Sequence, residues 1–164
     1  MGIFQTALIL SAFLCSLVAG FLFAYAIVVM PGIKYLNDRE FIRTFQVTDR
    51  IIQNNHPIFM LVWAGSAIAI IVSALYGIER LQGVDLFLLA LATLAYVLGV
   101  QVSTIAIHLP LNNKLQTLDV DAMNETDIKV ARKDFESRWN TSNLIRTAIA
   151  SCVSVLLIIL LFRQ

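Results

Sequence analysis

The sequence predicts an all-α protein: a bundle of four transmembrane helices, with an amphipathic helix in the first long loop and a fourth helix that extends beyond the membrane. Apolar residues make up 59% of its 164 residues and charged residues only 14%, whereas soluble domains carry about 25% charged residues. The mean hydropathy is +0.79. Four apolar runs are long enough to cross a hydrocarbon core, which needs about 20 residues. We therefore expect one membrane domain over residues 1–164.

The first predicted span covers residues 3–30, and no charged side chain occurs before Lys34. Pro31-Gly32 is expected to end this helix. A secretory signal peptide would carry a basic n-region and an apolar stretch of about 7 to 15 residues. Since the segment has neither feature, we expect it to remain as a span.

Three further spans are predicted over residues 57–78, 85–108 and 143–162. An even number of spans places both termini on one side of the membrane and the two long loops, residues 31–56 and 109–142, on the other. Ten of the twelve basic residues lie in these loops or at the adjoining helix ends, and only Arg80 and Arg163 lie opposite. The positive-inside rule therefore predicts cytoplasmic loops and external termini.

Both loops carry helical patterns. Asn37 and Asp38 are suitable N-cap residues, and apolar side chains recur at helical spacing from Phe41 to Ile52, among charged side chains that include Asp49. This amphipathic helix is expected to lie on the membrane surface or to cover the bundle. In the second loop, Thr126 is expected to cap a helix of about 37 residues, roughly 55 Å long, that continues through the fourth span.

Charge and cysteine content exclude two classes of protein. The net charge of +1, from 12 basic and 11 acidic residues, provides no basic excess for binding nucleic acid. The two cysteines, Cys15 and Cys152, both lie within apolar runs. We expect them to be reduced packing residues and not part of a disulfide framework.

Polar side chains within and beside the spans predict a site at the loop-side end of the bundle. Polar or ionisable groups in hydrocarbon cost several kcal/mol unless they find partners. On the third span, residues 101, 104 and 108 share one helical face, and on the fourth helix residues 135, 139, 143 and 146 share another. Pro110 is expected to end the third span. The expected cluster contains His56, Gln101, Thr104, His108, Asn112, Asn113, Phe135, Trp139, Asn143 and Arg146.

Structural roles are open for several members of this cluster. Arg146 can extend to lipid phosphates, and Trp139 can belong to an interfacial aromatic belt. Gln101 and Thr104 can serve as hydrogen-bonding contacts between helices, and His56 as a surface histidine.

Four segments form a recognisable pattern over nearly the whole chain. They are Val29-Met30-Pro31-Gly32-Ile33, the helix from Phe41 to Ile52 ahead of Pro57-Ile58-Phe59, Leu109-Pro110-Leu111-Asn112-Asn113-Lys114-Leu115, and the set Trp139, Asn140, Asn143 and Arg146. The pattern resembles the anthrone oxygenase-like family of small four-span membrane proteins. The chain departs from the family at His108, where the family has Asn, and at Thr48-Asp49, where it has an Ile-Asn pair.

The resemblance implies oxidation of a polyketide anthrone by O₂ without an evident cofactor, in a bacterial inner membrane. Such chemistry needs a base, for which histidine is suited, and donors that stabilise an oxyanion. The aromatic substrate would reach the site through the bilayer and stack on an aromatic side chain. The expected catalytic residues are His56, His108, Asn112, Asn143 and Arg146, and the expected substrate-binding residues are Gln101, Thr104, Asn113, Phe135 and Trp139.

Two alternatives use the same residues. His56 and His108 can act as axial haem ligands or as ligands of a transition metal, because imidazoles at one end of adjacent spans can face each other in a bundle. A non-catalytic membrane subunit or lipid-binding protein is the other alternative. In that case the charged part of the fourth helix would bind a partner protein or a second copy of the chain. The partners expected in the oxygenase interpretation are the lipid bilayer and an apolar small molecule.

Overall fold

A computed structural model describes residues 2–164. Its helices are α1 (Ile3–Ile33), α2 (Asp38–Gln53), α3 (Pro57–Arg80), α4 (Gly83–Gln116) and α5 (Glu125–Arg163). All except α2 are long and apolar enough to cross a membrane, and the described residues contain no strand. The predicted all-α fold with four candidate membrane spans is therefore confirmed.

The bundle is centred on α1, which packs along both α3 and α5, while α4 packs against α5. Apolar side chains from the four membrane-length helices, α1, α3, α4 and α5, fill the interior. They include Leu8, Ile70, Leu89 and Leu157. Hydrogen bonds also cross between helices. Ser11 bonds to Ser73 (2.8 Å) and Ser66 bonds to Tyr96 (2.6 Å). Such bonds help to hold helices together in lipid, where hydrophobic exclusion of water cannot.

Gly99 of α4 makes room for the side chain of Ile149 on α5. A Cβ atom at this position would lie 2.6 Å from Cδ1 of Ile149 and 3.0 Å from its Cγ2. We expect Gly99→Ala to lower the free energy of unfolding by about 1–3 kcal/mol, because the added methyl overfills the interface. Thermal unfolding in detergent measures this loss. Gly20→Ala is the control, since a Cβ at Gly20 has no neighbour within 4 Å; equal melting temperatures for the two variants would contradict the expectation.

On the loop side, α2 covers the end of the bundle. Asn37 is its N-cap and accepts a hydrogen bond from the Glu40 backbone N–H (2.9 Å), as the sequence predicts. α2 packs on α5 and on the last turns of α4. Arg132 of α5 fixes the preceding turn, because it donates to the carbonyl of Leu36 (2.9 Å) and to Asp38 (3.0 Å). α2 therefore covers the bundle, which is one of the two predicted placements.

Pro110 does not end its helix, contrary to the prediction, whereas the helix that contains Pro31 ends at Ile33, one residue beyond the predicted Pro31-Gly32. A π-helical segment precedes each: Tyr25–Val29 lies before Pro31, and Thr104–His108 lies before Pro110. Proline lacks the N–H for the usual i→i−4 bond and crowds the preceding turn. The wider π turn accommodates both effects, so that α1 continues to Ile33 and α4 to Gln116.

Three other local predictions need correction. The N-cap of α5 is Asn124, whose side chain accepts from the Asp127 N–H (2.9 Å), and not Thr126, which lies inside the helix. Cys15 is buried as expected, but Cys152 is exposed on the outer face of α5. An apolar run does not distinguish a lipid-facing position from a core position. Asp49 belongs to the buried face of α2 and not to its charged face.

Candidate functional site

A cavity of about 420 Å³ lies between the bundle and α2. All five helices contribute to its wall. All three π-helical segments do so directly, since Tyr25 belongs to the first, Gln101 to a second (Val97–Val102), and both Thr104 and His108 to the one before Pro110. π-Helical turns often occur at functional sites because they redirect side chains out of the regular helical register.

One face of α5 provides Trp139, Asn143 and Arg146, all buried. Arg146 is only 4% exposed. Its Nη1 donates to Oγ1 of Thr104 (2.7 Å) and its Nη2 to Oδ1 of Asn143 (2.9 Å). Asn143 in turn donates to the carbonyl of Leu22 (3.2 Å). The guanidinium is thus held by neutral groups on α4 and α5, and Asn143 ties this arrangement to α1.

His108 is buried at the loop-side end of α4, in the cavity wall. Its Nε2 lies 2.9 Å from Oγ of Ser142. Its ring meets the indole of Trp139 edge to face, with ring centroids 5.1 Å apart. Packing and one hydrogen bond therefore fix the orientation of the imidazole.

Asp49 is only 2% exposed and also lines the cavity. Three neutral amides donate to its carboxylate: Asn112 at 2.8 Å, and Gln53 and Gln116 at 3.1 Å each. Asn112 also accepts a hydrogen bond from Nε1 of Trp139 (3.0 Å). This network joins α2, α4 and α5 on the loop side of the cavity.

Aromatic rings line much of the remaining wall. Phe59 and Trp63 stack with ring centroids 5.6 Å apart, and Phe21 packs against the edge of Phe59 at 5.4 Å. Tyr25 lies 5.7 Å from Trp139 on another part of the wall. Such a wall suits an aromatic ligand, which can stack or meet these rings edge to face.

Three polar atoms of the cavity-lining residues are buried without a hydrogen-bond partner. They are Nε2 of Gln101, Nδ1 of His108 and Nε of Arg146. Leaving a buried donor or acceptor unsatisfied costs about 1–3 kcal/mol. All three belong to residues of one cavity wall, but the atoms lie beneath its surface, so a bound molecule supplies the missing partners only where these side chains turn toward it.

The cavity opens between α3 and α4. These helices pack together near their short connection, along Gly83–Tyr96, and separate toward the loop side. Apart from Asn55 on the turn before α3, the exposed lining residues flank this gap: Met60 and Ala64 on α3, and Ile105 and Leu109 on α4. Ile105 is 63% exposed. The opening therefore faces the region that lipid occupies around the bundle.

A family model described as anthrone oxygenase matches residues 50–156, which is more than half of the chain. The chain belongs to the anthrone oxygenase family. The matched range contains α3, α4 and most of α5, and with them His108, Asn112 and Arg146. Asp49 lies immediately before it. No curated protein and no solved structure matches the chain.

Seven of the ten predicted site residues line the cavity of this anthrone oxygenase family member. The other three do not. His56 is exposed at the start of α3, outside the lining, so it is not brought together with His108. Asn113 is exposed and accepts from Gln53 (3.1 Å), while Phe135 packs behind the cavity against Phe45 with ring centroids 4.6 Å apart. The seven that line it are Gln101, Thr104, His108, Asn112, Trp139, Asn143 and Arg146.

Sequence reasoning missed Asp49, Tyr25 and Ser142 of this family member. Asp49 had a detectable signal, because it follows Phe41 and Phe45 at intervals of four residues and so shares their face of α2. Tyr25 and Ser142 had no such signal, since their positions depend on a π turn and on packing between helices.

The residues described contain no group of three or more His, Cys, Asp or Glu side chains placed to hold a metal ion. The haem or metal alternative requires His56 and His108 to face each other. The exposed position of His56 outside the cavity does not provide that arrangement.

Proposed function

We propose that this anthrone oxygenase family member oxidises a lipid-soluble, anthrone-type substrate with O₂ inside the cavity. One observation carries the proposal: His108 and Arg146, each with an unpartnered nitrogen, lie in the wall of the same aromatic cavity. A basic nitrogen and a fixed cation are what carbanion chemistry requires in a site of low polarity.

The substrate reaches the cavity from the bilayer through the gap between α3 and α4. Its rings lie against the aromatic wall formed by Phe59, Trp63 and Trp139. Its oxygen faces Arg146, whose unpartnered Nε–H gives a further hydrogen bond when the side chain turns toward the cavity. This placement removes the reacting carbon from water, which strengthens the electrostatic interactions within the cavity.

His108 removes a proton from the activated methylene group. When Nε2 carries the ring proton and donates it to Ser142, Nδ1 has a free lone pair, which a turn of the ring brings to the cavity surface. Transfer of the C–H proton to Nδ1 leaves a carbanion whose charge is delocalised onto the substrate oxygen. Arg146 stabilises this oxyanion, and Asn143 and Thr104 hold the guanidinium in position.

The carbanion then transfers one electron to O₂, and the resulting radical and superoxide combine to form a C–O bond. The peroxide takes up a proton from the imidazolium of His108. Loss of the second C–H proton and cleavage of the O–O bond give the carbonyl and water. The methylene carbon thus loses four electrons and O₂ gains four, with one oxygen atom in the product and one in water.

Oxygen uptake by the purified protein in lipid nanodiscs tests the proposal. With anthrone as the probe, we expect one O₂ consumed per anthraquinone formed, and one atom of ¹⁸O from ¹⁸O₂ in the new carbonyl. Empty nanodiscs give the rate of spontaneous oxidation. A rate equal to that of empty nanodiscs would overturn the oxygenase proposal.

If the substrate enters from the bilayer, narrowing the gap should slow substrate binding without changing the rate of the chemical step. Ala64→Trp places a large ring in the gap between α3 and α4, so kcat/KM for anthrone should fall roughly tenfold. This fall corresponds to an activation free energy higher by about 1.4 kcal/mol. The rate of a single turnover with substrate already bound should stay near the wild-type value. Ala90→Trp is the matched control, because Ala90 is exposed on α4 but does not line the cavity. Equal kcat/KM values for both variants would contradict access through this gap.

A further inference from the structure

Asp49 is a buried carboxylate with no cation beside it. It is 2% exposed, and none of the ion pairs among residues 2–164 includes it. Its partners are the neutral amides of Gln53, Asn112 and Gln116. Burying a charge without a counter-ion is costly, and a neutral amide could also join α2 to α4 once the partner amides turned over to present their oxygens. The charge therefore points to a role beyond packing.

The carboxylate retains capacity for one more donor. Two carboxylate oxygens offer about four acceptor positions. Oδ2 accepts from Gln53 and Gln116, whereas Oδ1 accepts only from Asn112. Because Asp49 is part of the cavity wall, a molecule in the cavity can fill the remaining position on Oδ1.

Asp49 and Arg146 mark two separated ends of the cavity. Through Asn112, Asp49 is linked to Trp139. The guanidinium of Arg146 donates to Asn143, which lies four residues beyond Trp139 on α5, about 6 Å further at 1.5 Å per residue. A flat ligand of two or three fused rings can bridge this distance, with an oxygen at Arg146 and a hydrogen-bond donor at Asp49.

We propose that Asp49 is a specificity-determining residue that accepts a hydrogen bond from a phenolic hydroxyl on the far end of the aromatic substrate. This inference rests on the proposed function for the orientation of the ligand, and it deepens that function by naming a hydroxyarene as the substrate class. A neutral hydroxyl supplies the missing donor without adding a second negative charge. Its contact with an ionised acceptor is stronger than one between neutral groups.

Two stable tricyclic probes test the contact without turnover. 2-Hydroxy-9-fluorenone offers a ketone oxygen and a hydroxyl, and 2-methoxy-9-fluorenone has the same framework without the donor. Their affinities are measured by calorimetry at pH 7 in nanodiscs, with empty nanodiscs subtracted. We expect the wild type to bind the hydroxyl probe about tenfold more tightly. Equal affinities would overturn the proposal.

Asp49→Asn should reduce this preference to about twofold, since the amide retains the size of the side chain but not its charge. Asp134→Asn is the matched control, because Asp134 is an exposed carboxylate on α5 away from the cavity, and the tenfold preference should persist there. If Asp49→Asn weakens both probes equally and keeps the preference, Asp49 only positions Asn112 and the proposal is wrong.

Infrared difference spectra of the wild type provide a measurement that does not depend on the folding of a variant. The hydroxyl probe should shift a carboxylate stretching band, and the methoxy probe should not. The same response to both probes would overturn the contact. Neither measurement requires oxidation, so a chain that distinguishes the probes but consumes no O₂ would retain the Asp49 subsite while the oxygenase proposal fails.

Discussion

Replacement of Arg146 by glutamine should lower kcat for anthrone oxidation by about 10²- to 10³-fold, the usual cost of removing a group that stabilises an oxyanion. The shorter glutamine side chain keeps a neutral amide that can donate to Asn143 or Thr104, which now accept from the guanidinium. It lacks the positive charge and the Nε–H. Oxygen uptake and anthraquinone formation in nanodiscs measure the loss. Arg146→Lys should recover part of the activity because it restores the charge.

Stability distinguishes this functional role from a structural one. Arg146 is buried and has no carboxylate partner within the described residues, so its removal takes an uncompensated charge out of the bundle. We therefore expect the melting temperature of Arg146→Gln to stay unchanged or to rise while activity falls. Arg138→Gln is the control, since Arg138 lies on α5 but is exposed outside the cavity. Wild-type activity in Arg146→Gln would remove Arg146 from the mechanism.

Much of the site could be predicted from the sequence because it lies on long helices. Helical spacing alone places Trp139, Asn143 and Arg146 on one face of α5, and the structure brings that face into the cavity. The same rule predicts that Gln101, Thr104 and His108 share a face of α4, and all three line the cavity although π-helical turns interrupt the regular spacing there. Side chains at intervals of three and four residues stay neighbours whatever the tertiary packing.

The remaining features depend on packing and on backbone irregularity. The π turns before Pro31 and Pro110 allow both helices to continue, and no local sequence rule reveals them. The residue type of Asp49 favours the charged face of α2, although its spacing from Phe45 places it on the buried face. The position of His56 near a span end predicts a place beside His108, but the turn before Pro57 leaves it exposed.

The two histidines should therefore behave differently. His108→Gln should lower kcat by about 10²- to 10⁴-fold, the usual contribution of a general base, with little change in the affinity for 9-fluorenone. Glutamine retains a polar group for Ser142 but has no basic nitrogen. His56→Gln should keep wild-type kinetics, because His56 lies outside the cavity.

Chemical rescue provides the decisive comparison for the base. His108→Gly leaves a space beside the indole of Trp139, where the imidazole ring now lies with its centroid 5.1 Å from that of the indole. Added imidazole should occupy this space and restore part of the oxygen uptake, with a rate that saturates with imidazole concentration. Imidazole should not stimulate Arg146→Gln, since that variant lacks the oxyanion partner and not the base. Rescue of both variants, or of neither, would contradict the assignment of proton transfer to His108 and charge stabilisation to Arg146.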